Sequence, residues 1–246
     1  MISKNQIKFV RSLQLKKHRD VHNSFVVEGE KIVNEIIQSD FSVIQIFATN
    51  GWLSSNTNII AEVICQISEK ELKKISQLST PNKVLAIVEK PKFTLNIDTI
   101  TNGLTLVLDE IKDPGNLGTI IRVCDWFGVE NIICSNNSVD VYNPKVLQAT
   151  MGSLARVKVH YTDIENVINQ LPNDFPIYGA CIDGKNISDI IIEKEALLIM
   201  GNESFGISDK VSLLIKKRIE IPRKREGAES LNIAIATSIL LHEFRR

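Results

Sequence analysis

Asn116 and Arg122 lie in the stretch LDEIKDPGNLGTIIRVCDWFG (108–128), where a proline and glycines separate an apolar strand-like run from an apolar-faced helix. A glycine loop at the start of a helix can bind a phosphate group through its backbone N–H groups. GNLG is G-x-x-G rather than the dinucleotide-binding G-x-G-x-x-G, and no G-x-x-x-x-G-K-[ST] stretch occurs in the chain. Taken alone, this loop is explained equally well as a helix-capping turn.

Two further polar loops follow apolar runs late in the chain, GNESFG (201–206) and PRKREGAESLN (222–232). Their glutamate, serine and asparagine side chains can bind a polar substrate or cap a helix, and both interpretations stay open from the residues alone. In parallel α/β sheets, ligands bind beyond the carboxyl ends of the strands. Loops that follow strands are therefore the expected place for a site.

The runs that precede these loops belong to an alternation of strand-like and helical segments. Apolar strand-like runs occur at 104–109, 131–135, 156–161, 176–182, 196–201 and 218–222. Helical segments fill most of the intervals between them. This alternation predicts an α/β fold with a mostly parallel sheet and helices on both faces.

The first 95 residues form a separate, smaller alternation. A basic segment with helical spacing (2–17) is followed by strand-like runs at 24–29, 42–49 and 83–89 and by amphipathic helices at 30–39 and 68–78. Ser68 is the predicted N-cap of the second of these helices. The stretch KPKFTLNIDTITNG (90–103) has no clear periodicity and is the predicted linker. We predict a small N-terminal α/β domain over residues 1–95 and a second domain over residues 96–246.

The distribution of charge indicates a nucleic-acid partner, although 29 basic and 29 acidic residues give a net charge of zero. Residues 1–19 contain no acid, and KKRIEIPRKR (216–225) contains six bases in ten residues. Each cluster is a candidate phosphate-binding patch. A solvated helix face and a charged strand edge are the alternative explanations.

The four cysteines are far apart and have no histidine at metal-ligand spacing, so we expect reduced thiols and no metal site. The N-terminus does not resemble a signal peptide. No apolar run approaches the roughly 18 residues that span a bilayer. We expect a cytoplasmic protein with no membrane partner.

The segments NLGTIIRVCDWFG, LLIMGNESFGIS and IPRKREGAESLNIAIATSILLHEF, in this order, resemble the three motifs of the SpoU/TrmH ribose methyltransferases of the SPOUT superfamily. The resemblance covers residues 104–246. In addition, FVVEGEKIVNEII and STPNKVLAIV resemble the family's N-terminal RNA-binding domain, which is related to kink-turn-binding ribosomal proteins. The resemblance implies methylation of a ribose 2′-hydroxyl in structured RNA with S-adenosylmethionine as the cofactor. Ribosomal RNA is the first candidate substrate and transfer RNA the second.

The resemblance also implies a sheet threaded into a deep trefoil knot, which periodicity alone does not indicate. It further implies a homodimer whose active site is completed across the subunit interface. The final helix, rich in apolar residues, is expected to pack against the knot or a partner subunit. His242 in that helix is expected to be a packing or surface residue.

The motifs assign catalytic roles to Asn116, Arg122, Glu203, Ser230 and Asn232. Arg122 matches the essential arginine and lies about one and two-thirds helical turns beyond Asn116. Because a guanidinium is a poor general base, we expect Arg122 to bind the phosphate beside the target ribose and to orient the hydroxyl. Glu203 would hold Arg122 or Asn116 by a charge-assisted hydrogen bond. Ser230 and Asn232 would position the substrate phosphate and order the cofactor loop.

The cofactor and RNA contacts complete the predicted site. By the resemblance, Gly201, Ile221 and Leu231 would meet the adenosyl group through backbone groups and apolar contact. The segment from Ile221 to Asn232 is one residue longer and more basic than the usual family spacing, which suggests an added RNA contact. The candidate RNA-binding bases are Arg11, Lys16, Lys17, Arg19, Arg223, Lys224 and Arg225.

Three other functions remain open from the sequence. A knotted methyltransferase that modifies a base is disfavoured by the SLN signature. A non-catalytic RNA-binding or ribosome-assembly protein would keep the fold without the activity. A dehydrogenase is the weakest alternative, because the dinucleotide fingerprint is missing.

Overall fold

The computed structural model describes residues 2–57, 59, 63–225, 227 and 229–246. The helices in this part of the chain are α1 (Lys4–Ser12), α2 (Lys16–His22), α3 (Glu30–Ile37), α4 (Asn50–Leu53), α5 (Glu69–Ile75), α6 (Ile97–Thr101), α7 (Pro114–Trp126), α8 (Pro144–Thr150), α9 (Ile164–Ile168), α10 (Asp209–Ser212) and α11 (Ile233–Arg245). The strands are β1 (Ser24–Glu28), β2 (Val43–Ala48), β3 (Ile64–Gln66), β4 (Val84–Glu89), β5 (Leu104–Leu108), β6 (Asn131–Ser135), β7 (Lys158–Thr162), β8 (Ile177–Asn186), β9 (Ala196–Met200) and β10 (Lys217–Glu220).

Two compact units divide the chain. The first comprises residues 1–92 and 140–155, and the second comprises residues 93–139 and 156–246. Residues 140–155, which the sequence placed in the second domain, therefore pack with the N-terminal unit. The predicted second domain, residues 96–246, is therefore corrected by moving residues 140–155 to the first unit.

Side-chain contacts explain why residues 140–155 join the first unit. The ring of Tyr142 lies 4.5 Å from the ring of Phe25, measured between centroids. Gln148 Nε2 donates to the backbone oxygen of Glu28 at 2.9 Å. Their partners lie in or beside β1, more than a hundred positions earlier in the chain, so local periodicity could not reveal the association.

The sheet of the first unit has the strand order β1-β4-β2-β3. The β2–β3 pair is parallel, and β4 is antiparallel to both β1 and β2. A buried core that includes Phe47, Leu72 and Leu85 packs this sheet against its helices. The predicted N-cap is confirmed, because the Ser68 side chain accepts from the backbone N–H of Glu71.

The basic segment expected to be one helix over 2–17 is broken into α1 and α2. Ser12 Oγ donates to the backbone oxygen of Phe9 at 2.7 Å at the end of α1, and Leu13 is buried. Leu15 then adopts an extended conformation before α2 begins. Burial of Leu13 in the core outweighs the local preference for a continuous helix.

The second unit contains a parallel sheet with the strand order β10-β8-β9-β5-β6-β7. Side chains on a strand alternate between faces, and all five residues of β5 and of β9 are buried. Both faces of the sheet are therefore covered, as the apolar strand runs predicted. The linker predicted over 90–103 contains α6, whose N-cap Asn96 accepts from the Asp98 backbone N–H and whose Ile100 is buried.

Candidate active site

The start of α7 positions Asn116 on the segment that follows β5. Asp113 precedes the helix in an extended conformation, and its carboxylate accepts a hydrogen bond from the Asn116 backbone N–H at 2.8 Å. Pro114 occupies the first helical position, where no backbone donor is needed. The predicted strand, turn and helix are formed, and the Asn116 side chain is available for contacts outside α7.

Asn116 links two other loops in a continuous chain of hydrogen bonds. Its Nδ2 donates to Glu203 Oε1 at 2.7 Å, and its Oδ1 accepts from Asn232 Nδ2 at 2.9 Å. Because an ionised carboxylate can only accept, Glu203 requires the NH₂ group of Asn116 and fixes the orientation of that amide. Asn232 must then donate, which turns its own Oδ1 to the Ala234 backbone N–H at 2.9 Å. The side chains that meet here follow β5, β9 and β10.

The loop 201–206 that carries Glu203 is closed by backbone contacts. Asn202 and Gly206 exchange two backbone hydrogen bonds, each of 2.9 Å. A Cβ atom on Gly201 would lie 2.2 Å from the backbone of Gly206, so only glycine fits at this position. Gly206 has a φ of +73°, in the region that glycine favours. The loop has little freedom to move Glu203 away from Asn116.

Asn202 is a site residue that the sequence analysis did not single out. Its Nδ2 donates to the backbone oxygen of Glu110 at 2.7 Å, and its Oδ1 accepts from the Ser204 backbone N–H at 2.8 Å. Both ends of this buried amide are thus bonded, which ties the loop 201–206 to the end of β5. The available signal was an asparagine between Gly201 and Glu203 in the second motif.

Asp109 and Glu110, which directly follow β5, form further contacts near the loop 201–206. The buried carboxylate of Asp109 accepts from the Ser208 backbone N–H at 2.9 Å. Glu110 has a φ of 58°, which is unusual for a residue with a side chain. Hydrogen bonds from Lys112 and Asn137 hold the pKa of the Glu110 carboxyl below its ordinary value. Strained polar residues at a strand end are typical of a functional site.

Arg122 and Ser230 lie outside the hydrogen-bonded chain. Both side chains are exposed, and neither forms a hydrogen bond or an ion pair with any residue that the structure describes. Because each residue turns an α-helix by about 100°, Arg122 points about 120° away from Asn116 around α7. Of its two predicted partners, Glu203 binds Asn116 and not Arg122. The Arg122 side chain is therefore available for another partner.

The predicted cofactor contacts differ in their surroundings. Gly201 is closely packed, Ile221 is half-buried, and Leu231 is 49% exposed. Leu231 lies between Ser230 and the hydrogen-bonded Asn232. A glycine backbone with apolar side chains on a neighbouring loop suits the adenine ring of S-adenosylmethionine, whose flat faces take apolar contacts and whose polar edge can bond to backbone groups.

The candidate RNA-binding bases are exposed, except for Arg19. Arg223, Lys224 and Arg225 are exposed in the second unit, as are Arg11, Lys16 and Lys17 in the first. His242 is exposed as well, in agreement with its expected surface position.

Arg19 needs a correction, because its side chain is only 3% exposed. Its NH2 atom lies 2.6 Å from Asp140 Oδ2, and its NH1 atom donates to the backbone oxygens of Leu13 and Gln14. The guanidinium is occupied inside the first unit and cannot reach RNA without unfolding it. The prediction that Arg19 binds RNA is wrong.

Neither a metal-binding cluster nor a membrane-spanning helix is found in residues 2–57, 59, 63–225, 227 and 229–246. No group of three or more His, Cys, Asp or Glu side chains is placed to hold a metal ion in those ranges. None of the helices described is long and apolar enough to cross a membrane.

Comparison with known protein families identifies both parts of the chain. The model of the SpoU rRNA Methylase family matches residues 103–242, which include every residue of the hydrogen-bonded chain. This polypeptide belongs to the SpoU rRNA methylase family. A second model, that of the MRM3-like substrate binding domain, matches residues 4–86.

Individual RNA methyltransferases resemble this chain over nearly its whole length. The 23S rRNA (guanosine(2553)-2′-O)-methyltransferase RlmP of Bacillus subtilis is 29% identical, with 99% of this chain and 97% of that protein covered. An RNA methyltransferase of the TrmH family from Porphyromonas gingivalis has a TM-score of 0.91 and 36% identity, with 100% and 98% of the two chains covered. The AdoMet-bound rRNA methyltransferase from Sinorhizobium meliloti has a TM-score of 0.89 and 28% identity, with 100% and 96% covered.

Membership of the SpoU family confirms several predictions from the sequence. The family assignment, the methyltransferase activity on RNA and the use of S-adenosylmethionine are all confirmed. The α/β fold with a parallel sheet is also confirmed.

Proposed function

We propose that this chain transfers a methyl group from S-adenosylmethionine to the 2′-hydroxyl of one ribose in ribosomal RNA. The observation that carries the proposal is the hydrogen-bonded chain Glu203–Asn116–Asn232, because it joins the loops that the sequence motifs placed far apart. RlmP, similar over the whole length of this chain, is named for 2′-O-methylation of a guanosine in 23S rRNA. We therefore propose 23S rRNA as the first substrate, with transfer RNA second.

The proposed reaction places few demands on the side chains. S-adenosylmethionine, when bound, supplies a methyl group that its sulfonium already activates. The chain has to hold a ribose 2′-hydroxyl in the attacking orientation and favour the loss of its proton. Asn116, Glu203 and Asn232 are assigned to fixing the loops and presenting polar groups to the ribose. Ser230, which is exposed, is assigned to the substrate phosphate.

Arg122 is assigned to the phosphate beside the target ribose. Its guanidinium is always charged, can bind a phosphate with two parallel hydrogen bonds, and has no partner among the described residues. Phosphate binding at this point would orient the hydroxyl without requiring Arg122 to accept a proton. This role agrees with an exposed side chain better than a structural role does.

Gly201, Ile221 and Leu231 are the proposed contacts of the adenosyl group. The Cβ position of Gly201 is filled by the backbone of Gly206, so this glycine lets the loop 201–206 close beside the proposed contact. We also assign the second unit a trefoil knot formed by the loops after β9 and β10. Convergence of these loops on Asn116 supports this assignment.

Residues 1–95, most of which lie in the first unit, are assigned to RNA recognition. The match of residues 4–86 to a substrate binding domain supports this role. Exposed Arg11, Lys16 and Lys17 supply positive charge for RNA phosphates, and exposed Arg223, Lys224 and Arg225 do so on the segment that leads to Asn232. Similarity to the bacterial RlmP over almost all of the chain supports the cytoplasmic location that we also propose.

A homodimer is the proposed assembly, with each active site completed by the partner subunit. Ile235 and Ile239 lie four residues apart on one face of α11 and are 52% and 37% exposed. Trp126, at the end of α7, is 84% exposed. Apolar surface on two neighbouring helices suits contact with a second copy. The orientation of Arg122 away from Asn116 also favours a site shared between subunits.

A map of 2′-O-methyl groups tests the proposed function. The map is made across all ribosomal and transfer RNA from cells with and without the gene, and again after return of either the wild-type gene or Arg122→Ala. We expect one ribosomal site to lose its methyl group without the gene and to regain it only with the wild type. An unchanged map would contradict the proposal, and a missing methyl group on a base would favour the base-modifying alternative.

A further inference from the structure

Phe205 lies at the tip of the loop 201–206, two residues from Glu203. The paired hydrogen bonds between Asn202 and Gly206 close this loop, and the Asn202 side chain fixes it to Ser204 and Glu110. Two residues of chain span at most about 7 Å, so the Cα atoms of Phe205 and Glu203 are close neighbours. The backbone of Phe205 is thus held beside a residue of the hydrogen-bonded chain.

The Phe205 side chain is 63% exposed and makes no ring contact with another aromatic residue in the described ranges. Glu203 and Ser204, which precede it, are exposed and polar, and the bases Arg223, Lys224 and Arg225 are exposed on another loop of the same unit. An apolar ring that follows two exposed polar residues does not resemble a patch for protein contact, which has an apolar centre. It does resemble the exposed aromatic residues on which RNA-binding proteins stack unpaired bases.

We propose that Phe205 is a positioning residue that stacks on an unpaired nucleobase of the RNA substrate, at or next to the methylated nucleotide. The inference rests on the proposed function and adds a requirement for the substrate, which has to present an unstacked base at this loop. A stacked base would fix the attached ribose against the neighbouring Asn116 and Glu203. Stacking is tolerant of base identity, so Phe205 would select an unpaired nucleotide rather than a particular base.

Steady-state methyl transfer to ribosomal RNA from cells that lack the gene tests this role. Phe205→Ala is expected to raise the KM for RNA about 5- to 150-fold, the loss typical of one stacking contact, with a smaller change in kcat. Phe205→Trp is expected to restore the wild-type KM. Phe205→Leu keeps apolar bulk without a ring and is expected to stay impaired. Leu213→Ala removes another exposed apolar side chain, 86% exposed, and is the matched control with an unchanged KM.

Two further measurements separate stacking from other roles of the ring. S-adenosylmethionine affinity by calorimetry and particle mass by light scattering are expected to be unchanged in Phe205→Ala. A change in cofactor affinity or in mass, with the KM for RNA unchanged, would overturn the inference. Equal KM values for the alanine, leucine and wild-type proteins would overturn the stacking role of Phe205 and leave the proposed function intact. A wild-type protein that methylates no RNA would overturn both.

Discussion

Asn116 and Glu203 are joined by a hydrogen bond of 2.7 Å across 87 positions of sequence. The same Asn116 amide accepts from Asn232, so one side chain couples the start of α7 to the loop 201–206 and to the start of α11. An asparagine suits this position because it donates and accepts at once. Neither a carboxylate nor an apolar side chain could satisfy both neighbours.

The first prediction tests the direction of this hydrogen bond. Asn116→Asp places a second carboxylate against Glu203 and replaces a donor with a like charge. We expect methyl transfer to fall about 10- to 100-fold, the equivalent of one charge-assisted hydrogen bond. The measurement is transfer of labelled methyl groups from S-adenosylmethionine to unmodified ribosomal RNA.

The control for this prediction is the double variant Asn116→Asp/Glu203→Gln. It restores a donor and an acceptor with their places exchanged, so we expect it to be more active than Asn116→Asp alone. The Asn232 Nδ2 atom can still donate to residue 116 in this variant. If the two losses simply multiplied, the residues would not interact in the way that the hydrogen bond indicates.

The sequence predicted much of this arrangement, because strands and helices follow local periodicity. The apolar runs that became β5 and β9 are buried on both faces, and Ser68 caps α5 as its position predicted. Asn116, Glu203 and Asn232 were identified from their motifs. Local pattern and motif position were enough in each of these cases.

Long-range packing accounts for what the sequence did not predict. Arg19 looked like one more base in an acid-free segment, and only its pairing with Asp140 shows that it is buried. Asp140 belongs to residues 140–155, whose association with the first unit depends on contacts across more than a hundred positions. Asn202 was also missed, because its role depends on where the end of β5 lies.

The second prediction concerns the positive φ of Glu110. Glu110→Ala and Glu110→Gly both remove the carboxylate contacts with Lys112 and Asn137, but only glycine adopts this backbone conformation without strain. We expect the alanine variant to be less stable than the glycine variant by about 1 kcal/mol. Urea unfolding measures the difference. Equal midpoints would mean that the backbone is not strained at Glu110.

The third prediction separates Arg19 from the exposed bases near it. Arg19→Ala leaves the Asp140 carboxylate largely buried without its partner, so we expect a loss of about 3 kcal/mol in the free energy of unfolding. Lys16→Ala and Lys17→Ala should change stability by less than about 0.5 kcal/mol and weaken RNA binding instead. Urea unfolding and the salt dependence of RNA binding measure the two effects. A stable Arg19→Ala protein with weaker RNA binding would restore the original assignment.

The fourth prediction is a pH dependence that comes from Glu71. Hydrogen bonds from the Ser68 backbone, the Ser68 hydroxyl and the Ile2 backbone lower the pKa of Glu71 from 4.5 to about 2. A lowered pKa in the folded state gives stability that is complete above pH 4.5 and is lost as the pH falls toward 2. Wild-type stability should therefore fall more steeply in this window than that of Glu71→Gln.

Urea midpoints across this pH range measure the effect of Glu71. Glu69→Gln removes a carboxylate from the same first turn of α5 and serves as the control for a general change of charge. We expect its curve to stay close to that of the wild type. Parallel curves for Glu71→Gln and the wild type would show that the hydrogen bonds around Ser68 do not persist in solution.

The fifth prediction tests whether Arg122 completes the active site of a partner subunit. Arg122→Ala should be nearly inactive and Asn116→Asp should keep about a tenth to a hundredth of the wild-type activity. Arg122→Ala should keep wild-type stability because its side chain is exposed and unpaired among the described residues. When the two impaired proteins are unfolded and refolded together in equal amounts, about half of the dimers contain one copy of each. Such a dimer has one site with both residues intact if the residues come from different subunits, so about a quarter of the wild-type activity should return. If they act within one subunit, every mixed dimer lacks one of them at each site, and the mixture should be no more active than the two proteins measured apart.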